Sequence, residues 1–218
     1  LRITEKEHIL LLTMHHIVFD GWSEGVFLNE VTEIYRSLSA GKEPSLNPLS
    51  IQYADFAIWQ REWLKGETLK KQLSYWQKKL EDIVPLELPF DHPRQPVQSS
   101  KGRRQTFMLT ESLSHSLKEL SSNEGVTLFI TLLTSFNILL YRYTGQEDIA
   151  TGTPVANRNR KEFEGLIGFF VNTLVLRSNL SKNPSFREFL GRVREVAMEA
   201  FEHQQLPFEK LVEELNPE

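Results

Sequence analysis

The sequence predicts an α/β or layered α+β protein, in which helices and strands pack in layers around a core. Amphipathic helical patterns alternate with short apolar stretches along most of the 218 residues. The apolar stretches are separated by long connections that include whole helices, which is typical of layered folds. One segment, 82–104, carries four prolines and is expected to be irregular, so it divides the chain into 1–81 and 105–218.

The first predicted strand covers Ile9 to Met14, a run that is apolar except for Thr13 and is typical of a strand buried on both faces. A helix is expected after it, with Ser23 as its N-cap and Gly41 at its end. One face of this helix is predicted from apolar residues spaced by four, three and four positions: Phe27, Val31, Ile34 and Leu38.

The later elements are predicted from the same two periodicities. Helices are expected at 51–64, 69–80, 111–124, 128–143, 185–202 and 207–215. Strands are expected at 103–110 ("RRQTFMLT"), 147–158 ("EDIATGTPVANR") and 165–177 ("GLIGFFVNTLVLR"). Aromatic residues at helical spacing predict core packing rather than cofactor stacking, and they are Tyr53, Trp59, Trp63, Tyr75 and Trp76.

Composition restricts the class of protein and its partners. Hydrophobic residues make up 40% and charged residues 25%, as in a soluble globular protein that buries a core. The net charge of −4 argues against a nucleic acid or an anionic membrane surface as the partner. No apolar run reaches about 18 residues, so no membrane span is expected. The absence of cysteine excludes disulfides, thiolate metal sites and a cysteine nucleophile, and a cytoplasmic enzyme fits.

The stretch "TMHHIVFDGWS" holds the candidate chemistry. If the strand continued through His15 and His16, their side chains would point to opposite faces and could not bind one metal ion. No third ligand stands at a suitable spacing, so we expect no metal site. The functional interpretation is a histidine general base held at a strand end. Asp20 either orients a histidine or pairs with an arginine and holds the turn closed, and Gly21 is expected to allow a conformation that side chains forbid.

These residues resemble a known family. "HHIVFDG" is similar to the HHxxxDG motif of the condensation domains of nonribosomal peptide synthetases, which belong to the chloramphenicol-acetyltransferase-like superfamily. The later motifs of that family are matched in order by "YADFAIWQREWL", "LSYWQKKL", "GTPVANR", "IGFFVNTLVLR" and "HQQLPFEKLVEEL". The resemblance covers essentially the whole chain.

The resemblance implies the fold, the reaction and the partners. The family fold is a V-shaped pair of acetyltransferase-like lobes. Residues 1–81 would be the end of the N-terminal lobe, 82–104 the linker between lobes, and 105–218 most of the C-terminal lobe. The reaction joins an upstream acyl or peptidyl thioester to the amine of a downstream aminoacyl thioester. Both substrates are carried on the 4′-phosphopantetheine of peptidyl carrier proteins, an adenylation domain is expected in the same polypeptide, and the domain itself binds no cofactor.

The resemblance also implies roles for the residues of the histidine motif, 15–21. His16 would be the base or would position the attacking amine, and His15 would be structural. Asp20 would be structural as well, through an arginine that the family supplies from an earlier motif that this chain lacks. Gly21 would lie where its backbone N–H could face the reacting centre.

Three further residues are candidates for substrate binding. Asn172, in "IGFFVNT", is the most plausible additional site residue. Arg158, in "ANR", is more often a scaffold salt bridge in such a motif. Ser23 lies two residues after the end of the histidine motif and is the third candidate.

Several alternatives stay open at this point. The chain could be a related epimerisation domain, an acyltransferase of the same superfamily, or a non-catalytic domain that only docks carrier proteins. The chain begins with Leu1 rather than methionine and ends shortly after a predicted helix, so we expect both ends to be cuts through a larger protein. We therefore expect the isolated 218 residues to be inactive and to expose apolar surface.

Overall fold

The computed structural model describes residues 1–92 and 102–216. Within these residues it contains a short 3₁₀ turn at His16–Val18, eight α-helices and two β-strands. In chain order these are α1 Gly21–Ser39, α2 Tyr53–Trp63, α3 Gly66–Leu80, α4 Glu111–Asn123, α5 Leu128–Thr144, β1 Asp148–Val155, α6 Lys161–Glu164, β2 Asn172–Asn179, α7 Phe186–Glu202 and α8 Phe208–Leu215.

The chain forms two compact units. The first consists of Leu1–Lys71, Pro154–Asn172 and Gln205–Pro207. The second consists of Gln72–Thr153, Thr173–Gln204 and Phe208–Glu218, as far as these are described. Of the predicted linker, 82–92 and 102–104 contain no helix or strand, and 93–101 lie outside the described residues. The division into 1–81 and 105–218 stays a prediction.

Aromatic rings form the core of the first unit. Phe56 of α2 lies against Phe163 of α6 and against Phe170, with ring centroids 5.0 and 4.5 Å apart. Leu166 completes this buried cluster, and the half-buried Trp59 packs on it. The core therefore ties α2 to the segment that begins at α6.

The second unit is built on helices and a two-stranded sheet. Leu180 donates its N–H to the carbonyl of Glu147, and Gly152 lies near Thr173, so β1 and β2 run antiparallel. Helix α5 packs against α4 and α7. One face of α7 is buried at spacings that fit a helix: Phe189, Leu190, Val193, Ala197 and Ala200.

Most predicted helices are confirmed. The six helices expected after residue 50 all form, with ends within three residues of the predicted ones. Strand β1 forms inside the predicted region 147–158, whereas β2 overlaps 165–177 but ends two residues later, and 165–171 is a loop that precedes it. Trp76 is buried, and the other four aromatic residues predicted to pack are half-buried.

Two predicted strands are wrong. Residues 9–14 form no strand and are exposed, with Leu10 and Leu11 accessible to 69% and 77%. Residues 103–110 form no strand either, and Phe107 is 80% exposed. A strand requires a hydrogen-bonding neighbour and a covered face. Apart from two backbone hydrogen bonds that join Ile9 to Leu1, the described residues supply neither to these segments.

Helix α1 begins earlier than predicted. Asp20, not Ser23, is its N-cap, because the Asp20 side chain accepts the Ser23 N–H. Gly41, in the left-handed region with φ +67°, follows the end of α1 as expected. Among the described residues no single helix has the length and hydropathy of a membrane span; α4 and α5 reach them only together, with a bend of 104° between them.

Candidate functional site

The two adjacent histidines have different surroundings. The Nδ1 atom of His15 accepts the N–H of Ile17 at 3.1 Å, which closes the 3₁₀ turn. The imidazole of His16 is exposed, and it meets the ring of Phe169 edge-on, with centroids 5.3 Å apart at 83°. In the described part of the chain no hydrogen bond is made by the His16 imidazole. His15 thus shapes the turn, and His16 presents its ring outward.

Asp20 is withdrawn from both histidines. Its Oδ1 atom accepts the N–H and the hydroxyl of Ser23, at 2.9 and 2.8 Å, and Nη2 of Arg158 at 3.2 Å. Its Oδ2 atom accepts the N–H of Phe170 at 2.9 Å. Neither histidine is among its partners. The structure therefore favours the second alternative left open by the spacing, in which Asp20 pairs with an arginine and holds the turn closed.

That arginine comes from within this chain. Arg158, which follows β1, donates Nη1 to the carbonyl oxygens of Phe163 and Leu166, the latter at 2.8 Å. Its Nη2 donates to Asp20 and to Ser23 Oγ. The expectation that the partner would come from an earlier motif is thus wrong for this structure. The guanidinium also lies 4.0 Å from the centre of the Phe170 ring, and its side chain is only 1% exposed.

The ion pair has a definite charge state. Burial would raise the pKa of Asp20, but the hydrogen bonds from Phe170 and Ser23 and the charge of Arg158 together hold that pKa below its ordinary value. Burial lowers the pKa of Arg158, and Asp20 offsets part of this effect. An arginine remains protonated in proteins. Asp20 and Arg158 are consequently both charged at neutral pH and serve as a fixed link rather than as a proton donor or acceptor.

The three residues predicted to bind substrate all have buried side chains. Ser23 is 0% exposed, and its hydroxyl contacts Asp20, Arg158 and both backbone polar groups of Gly168. The Asn172 side chain donates to the carbonyl of Leu206 at 2.7 Å. Ser23, Asn172 and Arg158 thus all have partners within the protein, and these partners favour structural roles. Direct contact of any of the three with substrate stays a prediction.

Gly21 does not have the backbone conformation expected of it. It is the first residue of α1, its φ is not positive, and an added Cβ would meet no atom within 4 Å. Its N–H is one of the first four of the helix, which have no partner within the helix itself. A role for this N–H toward the reacting centre stays a prediction.

Sequence reasoning missed the contribution of Tyr53 and Gly168. The Tyr53 hydroxyl donates to the carbonyl of Phe169 at 2.8 Å, and a Cβ on Gly168 would lie 2.2 Å from Cδ2 of the Tyr53 ring. A glycine inside an apolar stretch often marks such a close approach. Gly168 in "IGFF" carried that signal, but Tyr53 was interpreted only as core packing.

A cavity of about 980 Å³ lies in the second unit. The end of α3, the segment after it, strands β1 and β2, and α8 line it, with mostly apolar side chains such as Leu80, Val175 and Leu211. It includes none of the predicted site residues. In residues 1–92 and 102–216 no group of three or more His, Asp or Glu side chains is arranged to hold a metal ion.

Comparison with known proteins assigns the chain to a class. The family model for the condensation domain matches residues 1–218. The chain belongs to the condensation-domain family, and the fold agrees with that assignment.

The most similar proteins include peptide synthetases. The chain is 54% identical to a linear gramicidin synthase of Brevibacillus parabrevis, over 100% of the chain and 4% of that protein. It superposes with a TM-score of 0.83 on the X-domain in complex with OxyB from teicoplanin biosynthesis, at 30% identity, covering 94% of the chain and 46% of that structure. It also matches a four-domain nonribosomal peptide synthetase bound to AMP and glycine, with a TM-score of 0.82 at 29% identity. This match covers 94% of the chain and 15% of that structure. The chain thus spans a small part of the gramicidin synthase and about half of the X-domain.

Proposed function

We propose that this domain forms an amide between a donor acyl or peptidyl thioester and the amine of an acceptor aminoacyl thioester. Both substrates would be carried on the 4′-phosphopantetheine of carrier proteins. The observation that carries the proposal is the different placement of two polar groups of the histidine motif. Asp20 is buried and engaged with Arg158, whereas the His16 imidazole is exposed. His16 is therefore the group that can reach a substrate.

In this reaction the acceptor nitrogen attacks the thioester carbonyl carbon, a C–N bond forms and the C–S bond breaks. The nitrogen loses a proton, and the departing thiolate gains one. An α-amine has a pKa of about 7.7–8.0, so a useful fraction is unprotonated at neutral pH. Holding two tethered substrates together supplies effective molarities of about 10⁵–10⁸ M. His16 either removes the proton from the attacking nitrogen or orients that nitrogen, and both roles require it to reach the amine.

The proposed partners follow from the same reaction. They are an upstream and a downstream peptidyl carrier protein, with an adenylation domain in the same polypeptide. The similarity to a four-domain nonribosomal peptide synthetase supports this organisation. The phosphopantetheine arms enter as parts of the substrates, and we propose no resident cofactor or metal. A cytoplasmic location stays a prediction.

The test is amide formation by a synthetase module that contains this sequence, with both carrier proteins loaded and the product measured by mass spectrometry. His16→Ala is expected to lower the rate at least about tenfold, since a positioned base contributes roughly 10²–10⁴-fold. His115→Ala is the control, because His115 lies on the exposed face of α4 with its side chain 73% accessible. Near-normal turnover of His16→Ala would refute the assigned role.

Two further arms of the same assay separate the alternatives. A wild-type module that binds loaded carrier proteins without forming product would be a docking platform instead. We propose that the 218 residues alone form no amide, which the exposed apolar side chains of residues 9–14 support. Product formation by the purified 218-residue chain would contradict its proposed inactivity. It would leave the proposed amide-forming function intact.

A further inference from the structure

We propose that Phe169 positions the imidazole of His16, and that Asp20, Ser23 and Tyr53 hold Phe169 in place through the backbone of residues 168–170. For its effect on catalysis the inference rests on the proposed function. The contact between the two rings and the network behind it are independent of that function.

The first step is the contact itself. The edge-on approach of the rings of His16 and Phe169, at 5.3 Å and 83°, is a favourable aromatic geometry. Because the described residues offer the exposed His16 imidazole no hydrogen bond, this ring contact is what restricts its rotation. An aromatic pair of this kind favours one orientation by about two- to thirteenfold.

The second step is the backbone behind the Phe169 ring. Gly168 donates its N–H to Ser23 Oγ at 3.0 Å, and its carbonyl lies 2.9 Å from the same oxygen. The carbonyl of Phe169 accepts the Tyr53 hydroxyl, and the N–H of Phe170 is donated to Asp20. Three consecutive residues are thus each bonded to a different side chain.

The third step is steric. Ser23 is fully buried and Asp20 is 3% exposed, so water does not compete for the hydrogen bonds that these two residues make with Gly168 and Phe170. The Tyr53 ring fills the space beside Gly168 so closely that a Cβ there would overlap it. Tyr53 also meets the Phe170 ring edge-on, with centroids 5.1 Å apart. The backbone is therefore confined at this point, and with it the direction of the Cα–Cβ bond from which the Phe169 ring extends.

These contacts assign different tasks to the residues around His16. Asp20 does not touch either histidine, yet it acts on His16 through the backbone at Phe170 and the ring of Phe169. Tyr53 acts in the same way from α2. Both are positioning residues, and neither meets the reacting atoms. Removal of the Phe169 ring should therefore slow the chemical step without weakening the binding of the acceptor.

The experiment measures His16 directly and separately from activity. The 218-residue chain, labelled with ¹³C at Cε1 of histidine, contains six histidines, and His16→Gln identifies the signal of His16. Phe169→Leu is expected to shift that signal, because the ring current of the neighbouring phenyl ring is lost. Tyr53→Phe, which keeps the ring and removes only the hydroxyl, is expected to shift it less. The control is Phe129→Leu in α5, where Phe129 is 40% exposed.

The same variants are then measured in the synthetase module. Phe169→Leu is expected to lower kcat about two- to thirteenfold, matching the loss of orientation, with an unchanged KM for the acceptor. Phe169→Tyr, which keeps the ring edge, should restore kcat. Phe169→Met replaces Phe169→Leu if circular dichroism finds the leucine variant unfolded.

Each outcome decides one part of the inference. An unshifted His16 signal in Phe169→Leu overturns the claim that the Phe169 ring contacts the His16 imidazole. A shifted signal with unchanged kcat overturns the positioning role. An unshifted signal in Tyr53→Phe overturns the part assigned to Tyr53. If His16→Ala turns over as fast as the wild type, the proposed function fails while the spectroscopic result still stands by itself.

Discussion

The guanidinium of Arg158 offers the sharpest test of how the first unit is held together. Its two terminal nitrogens serve two different sets of acceptors, with Phe163 and Leu166 on one side and Asp20 and Ser23 on the other. The ammonium of a lysine is a single point charge and does not reproduce this planar fork. We therefore predict that Arg158→Lys keeps the positive charge but loses the hydrogen bonds to one of the two sets of acceptors.

The magnitude follows from the bonds that are lost. Each hydrogen bond to a charged group contributes about 1.5–3 kcal/mol, so losing two of them costs about 3–6 kcal/mol. The Arg158 and Asp20 side chains are 1% and 3% exposed, so solvent screening does not reduce this figure. A typical domain has about 5–15 kcal/mol of stability in total. The variant should consequently lose a large share of the stability of the first unit.

The assay is unfolding of the 218-residue chain in urea. Three of the four tryptophans, Trp22, Trp59 and Trp63, lie in the first unit, so fluorescence reports mainly on that unit. Far-ultraviolet circular dichroism reports on both units, and agreement between the two probes tests whether unfolding is a single transition. With slopes of about 1–3 kcal/mol per molar urea, the midpoint for Arg158→Lys should fall by at least about 1 M.

The matched control is Arg36→Lys. Arg36 is on α1, its side chain is 74% exposed, and its nearest carboxylate is Glu33 at 3.8 Å. A surface substitution of this kind changes stability by no more than about 0.5 kcal/mol. If Arg158→Lys behaved like Arg36→Lys, the claim that the forked guanidinium holds the turn closed would be refuted.

Two other predictions concern the same network. Gly168→Ala forces a Cβ against the Tyr53 ring and should cost about 1–3 kcal/mol in the same urea assay. Gly191→Ala on α7, where a Cβ meets nothing within 4 Å, should instead stabilise by about 0.5–1 kcal/mol; equal effects would contradict the steric argument. Asp20 predicts a dependence on pH. Because its pKa is held below the unfolded value of about 3.9, its ionised form adds stability that is complete above about pH 5 and is lost as the pH falls through the folded-state pKa. The difference in free energy of unfolding between the wild type and Asp20→Asn should therefore narrow as the pH falls from about 6 to about 3. A difference that stays constant over this range would be evidence against a stabilising role of the ionised Asp20 carboxylate.

The sequence alone determined most helices and the position of the candidate base. Helix α7 is an example, because each of its backbone hydrogen bonds joins residues four apart, and its apolar residues repeat within the same short window. His16 was identified through the resemblance of "HHIVFDG" to the motif of the condensation-domain family, and that motif is a short stretch of sequence as well.

Only the tertiary structure decided the partner of Asp20. Its spacing from the histidines allowed either an orienting role or an ion pair, and Arg158 is 138 residues away along the chain. Residues 9–14 were misassigned for the same reason, since strand pairing and burial depend on which distant segments lie alongside. A helix satisfies its backbone within itself, whereas an ion pair or a strand is completed by residues that no short stretch of sequence contains.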